Sequence, residues 1–308
     1  MTAVFLQVLP FFLLIGLGYG AARTRFFSAE ATAALTRFVF YFALSAMLFR
    51  FSANLSMAEI LDWQLVKAYL LGTGAIYLLA TAVALWRRRG VQEAAVEAQC
   101  AVIGNVGFLG IPMLVLLLGE AAIGPVMLVL AVDLIVFGSL IVILIVGARG
   151  GGNWLRIPGI VGLGLLKNPM IVSIALGLTV SALALEVPEP INAFVTILGN
   201  AATPGALFAI GASLAGKSAE RIAVPGWLSF CKLVLHPAAV ALALIVFPVA
   251  PYAAGVMIAA AALPVAGNVF ILAQHYGVAP QRVSASILIS TVVSVLTIPF
   301  VIAQLGMG

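Results

Sequence analysis

The sequence predicts an all-α membrane protein of ten transmembrane helices, built as two inverted five-helix repeats whose fourth and ninth helices are broken and cross at the midplane. Three observations predict it. Of 308 residues, 64% are hydrophobic and 8% are charged, and the mean hydropathy is +1.24, a composition foreign to soluble domains. The chain divides into apolar stretches near the roughly 20 residues that a hydrocarbon core demands, separated by short polar joints. Two of those stretches are interrupted by a Gly-Asn step, at Gly104-Asn105-Val106 and Gly267-Asn268-Val269, each with a proline nearby, Pro112 and Pro264.

The first span, 3–22, lacks a basic n-region and a small-residue cleavage site and runs into Gly16-Leu17-Gly18-Tyr19-Gly20, so it reads as a retained helix. The second, 33–52, carries Ser45 in an apolar setting, and the third, 62–86, stops at the basic run Arg87 to Arg89. The fourth, 93–118, contains the first break, and the fifth, 121–147, has Asp133 near its middle. After a joint carrying Arg149, Arg156 and Lys167 come the sixth span, 168–186, and the seventh, 190–215. The eighth, 226–248, holds Lys232 and His236; the ninth, 251–276, holds the second break; the tenth is 281–305. Two halves, 1–150 and 151–308, account for the chain and leave no room for a soluble catalytic domain.

Charge sets the orientation. Arg23 and Arg25, Arg87 to Arg89, Arg149 with Arg156 and Lys167, Lys217 with Arg221, and Arg282 fall in alternate loops, which the positive-inside rule makes cytoplasmic. The opposite loops hold Asp62, Glu120, Glu186 and Glu189, with Arg50 the cationic exception. Both termini then face outward. The formal net charge of +5 arises from this bias, so it implies no nucleic-acid partner.

Asn105 and Asn268 lie 163 positions apart, and sliding the first half onto the second by that offset superposes spans 2 to 5 on spans 7 to 10. Five helices per half is an odd number, so the halves have opposite topology. Paired interruptions at matching places in inverted repeats are the sequence mark of a midplane substrate site in a secondary transporter.

The first break, Gly104-Asn105-Val106-Gly107-Phe108-Leu109-Gly110-Ile111-Pro112, resembles a signature of the auxin efflux carrier family, within the bile acid, arsenite and riboflavin transporter superfamily. Leu263-Pro264-Val265-Ala266-Gly267-Asn268-Val269-Phe270-Ile271-Leu272-Ala273 resembles that family's second signature, and Leu17-Gly18-Tyr19-Gly20, Lys167-Asn168-Pro169 and Ala202-Thr203-Pro204-Gly205-Ala206-Leu207 add weaker similarity along the whole chain. The resemblance implies a scaffold of helices 1, 2, 6 and 7, with helices 3–5 and 8–10 as a transport domain that moves elevator-like against it. It also implies organic anions such as auxins and mono- or dicarboxylates as substrates, and a homodimer through helices 2 and 7. The chain departs from plant members, which have Pro-Asn at Gly104-Asn105 and proline at Val269.

Unwinding a helix in lipid frees backbone groups that cost several kcal/mol each if unpaired, so such breaks survive where they line a protein cavity. Glycines 104, 107, 110 and 267 permit the close approaches involved, and Pro112 and Pro264 each withhold a helical donor and shape the crossover. Asn105 and Asn268 can cap the half-helices or donate to a ligand. Half-helix N-termini carry partial positive charge and favour a carboxylate. The predicted substrate site is therefore Gly104, Asn105, Val106, Gly107, Gly267, Asn268 and Val269.

Asp133 is an intramembrane carboxyl with no basic residue in its own span, a costly placement that marks function. Taking up a proton, bonding the unwound segment and coordinating a cation all suit it, and H+ or Na+ remain alternative coupling ions. Weaker candidates are Glu97, Gln99, Gln274, His275, Lys232 and His236, with Ser45, Thr203 and Ser213 on the scaffold side. Cys100 and Cys231 have no CxxC spacing, and no HExxH, Walker loop or GxSxG elbow occurs, so neither enzyme, metal nor cofactor is expected. The expected partners are a small organic anion, the coupling ion, lipid and a second copy of the chain, in a bacterial inner membrane. A sodium-coupled bile-acid-type symporter and a solute channel are the competing readings.

Overall fold

A computed structural model describes residues 2–55, 62–149, 157–216 and 222–306. Arg156, Lys217 and Arg221, three of the basic loop residues named above, lie outside them. Among the described residues the chain is helical, without strands beyond one isolated bridge. The helices are α1 (Thr2–Arg23), α2 (Ala29–Ala53), α3 (Trp63–Trp86), α4 (Val91–Val102), α5 (Val106–Leu118), α6 (Glu120–Ala148) and α7 (Ile157–Lys167). They continue as α8 (Pro169–Ala182), α9 (Glu189–Ala215), α10 (Ala223–Ala243), α11 (Pro251–Ala261), α12 (Gly267–Tyr276) and α13 (Pro280–Gln304).

Seven of these are long and apolar enough to cross a membrane, or eight if α7 and α8, bent by 72°, count as one. The stretches 93–118 and 251–276 each fall into two short helices, α4 with α5 and α11 with α12. Helix α7 was not anticipated, since its residues read as a loop. Asn168 separates it from α8: its side chain accepts the Met170 N–H at 3.0 Å and Pro169 starts the new helix, so the chain turns. Similar caps start α2, where Ser28 accepts from the Ala31 N–H, and α3, where Asp62 accepts from the Gln64 and Leu65 N–H groups.

Apolar side chains cover both faces of α1, with Val8, Phe11 and Ile15 buried and Leu6, Leu13 and Leu17 exposed, as a lipid-facing helix requires. Which face packs is decided by small residues. A Cβ at Gly211 would stand 1.8 Å from the Ile15 carbonyl oxygen, and one at Gly18 2.1 Å from that of Phe208, so α1 and α9 touch backbone to backbone. Around this pair, α2 packs on α8 and α9; elsewhere α3 packs on α4 and α10, α10 on α13, and α11 on α6. The two groups meet where α1 lies against α13 and α9 against α5.

Single π turns interrupt α2 at Val39–Ala43, α6 at Asp133–Phe137 and α10 at Cys231–Leu235, and a fourth opens α5 at Val106–Gly110. Such turns widen a helix locally and occur often at functional sites.

Candidate functional site

Helix α4 ends at Val102 because Ile103 turns to an extended conformation. Gly104 then pairs antiparallel with Val265, between α11 and α12. The Asn105 N–H donates to the Pro264 carbonyl at 2.8 Å, and the Ala266 N–H donates to the Ile103 carbonyl at 3.0 Å. Each break thus supplies the other's missing backbone partners, which is what allows both inside an apolar protein. The Val265 N–H, facing away from this pair, donates to Ser290 Oγ of α13 at 3.0 Å. Pro264 contributes its carbonyl to the crossing, and Pro112 sits in the first turn after the π turn of α5.

Beside the crossing lies a cavity of about 980 Å³. Gln99, Asn105, Asp133, Gly267 and Asn268 line it, together with Arg37 and Phe40 of α2 and Ile210 and Ser213 of α9. Ile160 and Gly164 of α7 complete it, and it runs out to helix ends at Gly216, Tyr276 and Pro280. Phe40 and Phe108, both lining it, stack with ring centroids 6.2 Å apart and planes at 5°. Three polar atoms of the wall are buried without a partner: Asn268 Oδ1, Asp133 Oδ2 and Gln99 Oε1. Buried acceptors of this kind ordinarily find a donor, so their convergence on one cavity marks a place for a ligand, water or a proton. The other Asp133 oxygen accepts from Tyr69 OH at 2.8 Å, and Gln99 Nε2 donates to the Phe137 carbonyl at 3.3 Å.

Of the residues selected from sequence, Asn105, Gly267, Asn268, Asp133, Gln99, Gln274, His275 and Ser213 border the cavity. Gly104, Val106, Gly107 and Val269 are buried beside it without lining it, and Ser45 and Thr203 do not border it. Glu97 is occupied elsewhere: it pairs with Arg87 and, at 2.6 Å, with Arg282, tying α3, α4 and α13 together at one end. Lys232 and His236 are wholly buried behind the crossing.

Sequence reasoning missed Arg37, the stacked Phe40 and Phe108, and Tyr69 and Thr73. Two of these had a signal. The 163-residue offset that joins the breaks also carries Tyr69 onto Lys232 and Thr73 onto His236, and Thr73 Oγ1 lies 2.9 Å from His236 Nε2.

A family model described as membrane transport protein matches residues 3–302. The chain belongs to that family, the auxin efflux carriers. It is a multi-pass membrane transporter. The transporter is 35% identical over 298 residues to the "Putative malonate transporter" of Rhizobium meliloti, covering 94% of this chain and 92% of the relative. It is 25% identical over 297 residues to "Uncharacterized transporter YfdV" of Escherichia coli K12 and of Shigella flexneri, with 95% of each chain covered.

Proposed function

We propose that this transporter is a secondary carrier of small organic anions, short mono- and dicarboxylates above all, working by alternating access. The observation that carries the reading is the hydrogen-bonded pair of helix breaks beside a cavity that Asn105, Asn268 and Gln99 line with side-chain amides and Asp133 with a carboxyl. Helices α5 and α12 start at the crossing, and a helix start offers free N–H groups and partial positive charge to a carboxylate. Arg37, a cationic residue, also lines the cavity. The malonate named for the Rhizobium relative supports a short dicarboxylate.

This reading takes the two broken pairs together with the eight length-qualified spans as ten helices, in two halves of five with opposite topology. In this reading α1, α2, α8 and α9 are the scaffold, the remaining helices except α7 are the transport domain, and the cavity lies between them. Elevator-like movement of that domain would carry the crossing site across the membrane. The cavity opens at the end where Arg87, Arg149 and Arg282 gather, so by the positive-inside rule the conformation is inward-open and both termini face outward. A bacterial inner membrane fits the bacterial relatives. The exposed aromatic and apolar side chains Phe38, Tyr41, Phe42, Phe194 and Ile197 on α2 and α9 suit a homodimer contact.

Asp133 gives the coupling. An ionised carboxylate in the wall would repel an entering anion, whereas a protonated one would not, so anion and proton enter together. Protein reconstituted into vesicles loaded with unlabelled malonate should take up labelled malonate against its gradient, and a pH gradient should drive uptake. Linear, non-saturating flux without counterflow would instead identify a channel, and uptake driven by sodium alone would identify a sodium symporter.

A further inference from the structure

Behind the crossing, Lys232 is 0% exposed, an unusual place for an ammonium. Its Nζ donates to the carbonyl of Ala261, the last residue of α11, and lies 3.1 Å from His236 Nδ1. The imidazole is anchored in turn by Thr73 and stands edge-on to Tyr69, which donates to Asp133. A Cβ built on Gly104 would sit 3.3 Å from Lys232 Nζ and Cε and 3.3 Å from the Ala260 carbonyl oxygen. The ammonium therefore stands where the first break meets the carbonyl end of the helix before the second.

Helices α4 and α11 both terminate there, and the carbonyl end of a helix carries partial negative charge; at α11 the Ala261 carbonyl has the Lys232 ammonium as its donor. In carriers with broken helices, such carbonyl ends are where a coupling cation is held. We infer that the Lys232 ammonium is the resident cation of the crossing, tethered where a free monovalent cation would otherwise bind, so that the transporter folds and binds substrate without sodium. The inference goes beyond the proposed anion transport, and its first test needs no substrate.

The full-length protein, purified in detergent, is melted in choline, sodium and methylammonium chloride at equal ionic strength, as wild type, Lys232→Ala and Lys232→Met. The wild-type midpoint should be the same in sodium and choline. Lys232→Ala opens the ammonium's place, so its lowered midpoint should rise saturably by a few degrees with methylammonium or sodium and not with choline. Lys232→Met fills the space without charge and should show no recovery, which separates a missing cation from missing packing. Should Lys232→Ala fail to fold in choline, preparation with methylammonium or sodium restores it if Lys232 is the resident cation. Sodium-dependent stability of the wild type, or a Lys232→Ala protein equally affected by all three salts or unfolded in all three, overturns the inference.

Discussion

The two breaks share the tripeptide Gly-Asn-Val, yet they do different work. At the first, Gly104 is buried in the antiparallel pair with Val265, hemmed by Lys232 and the Ala260 carbonyl, and the Asn105 carbonyl accepts from both Leu109 and Gly110 as the chain enters a π turn. At the second, Gly267 is exposed with nothing within 4 Å of a Cβ, and Asn268 lies in the first turn of an ordinary α-helix with its side-chain oxygen unpartnered. Perfect two-fold symmetry would match the Gly104–Val265 pair with a Val102–Gly267 pair. Val102 is instead the last residue of α4, and the second pair does not form among the described residues. One break clamps the crossing, and the other leaves its helix start facing the cavity. A sequence repeat thus supplies two places able to break, and interlocking them divides the tasks.

The largest effect that tests this division concerns binding. Asn268→Ala should lower carboxylate affinity about tenfold or more, because it removes the Nδ2 donor and a hydrogen bond to a charged group contributes about 1.5–3 kcal/mol, while the unfolding midpoint stays near that of the wild type. Asn105→Ala should also lose binding, since Asn105 borders the same cavity. Calorimetric titration with malonate measures both, and two variants that bind normally would place the site elsewhere. Next comes Asp133→Asn. If Asp133 must be protonated for an anion to enter, raising the pH ionises it and wild-type affinity falls. The asparagine variant cannot ionise, so its affinity should not change with pH. A variant that keeps the wild-type pH profile would make Asp133 a structural partner of Tyr69.

Much of the fold was legible because lipid imposes simple rules. Long apolar runs show themselves, as do the Gly-Asn steps and the lone carboxyl at Asp133. What stayed hidden depends on where backbones end up. The short α7 read as a loop because a bend at Asn168 gives no hydrophobic signal. Gly104, Val106, Gly107 and Val269 share motifs with cavity residues yet point into packing, which only the pairing of the breaks decides. Arg37, which sequence reasoning passed over, borders the cavity because of how α2 packs, and no motif announces that. Thr73 and His236 were within reach of sequence reasoning through the same offset that joined the breaks, since that offset relates facing helices as well as motifs.

On stability, the glycines of the two breaks should respond with opposite sign. Gly104→Ala forces a methyl against the Ala260 carbonyl and the Lys232 ammonium, and overpacking of this kind costs about 1–3 kcal/mol. Gly267→Ala meets open space in the first turn of α12, and removing the glycine's freedom in the unfolded chain should stabilise by about 0.4–1 kcal/mol. Thermal unfolding of the two variants side by side decides it. Equal losses would mean that the second break is as tightly held as the first, and the contrast drawn above would fail.

A local effect falls on Ser290, a support that among the described residues the second break has and the first lacks. Its hydroxyl accepts the Val265 N–H, the donor on the outer edge of the crossing, and donates to the Ile287 carbonyl within α13. The 163-residue offset carries Ser290 back to Met127, which has no hydroxyl to offer, so the first break is built without this prop. Ser290→Ala should therefore strand one buried N–H, at a cost near the low end of the roughly 1–3 kcal/mol for such a group, because Ile287 remains inside a helix and keeps its own bonding. The unfolding midpoint should drop by a few degrees, with a matching rise in amide hydrogen exchange at Val265 and little change at Asn105. Equal exchange at both positions would mean that the crossing opens as a single unit, with Ser290 holding both breaks through the backbone pair that joins them.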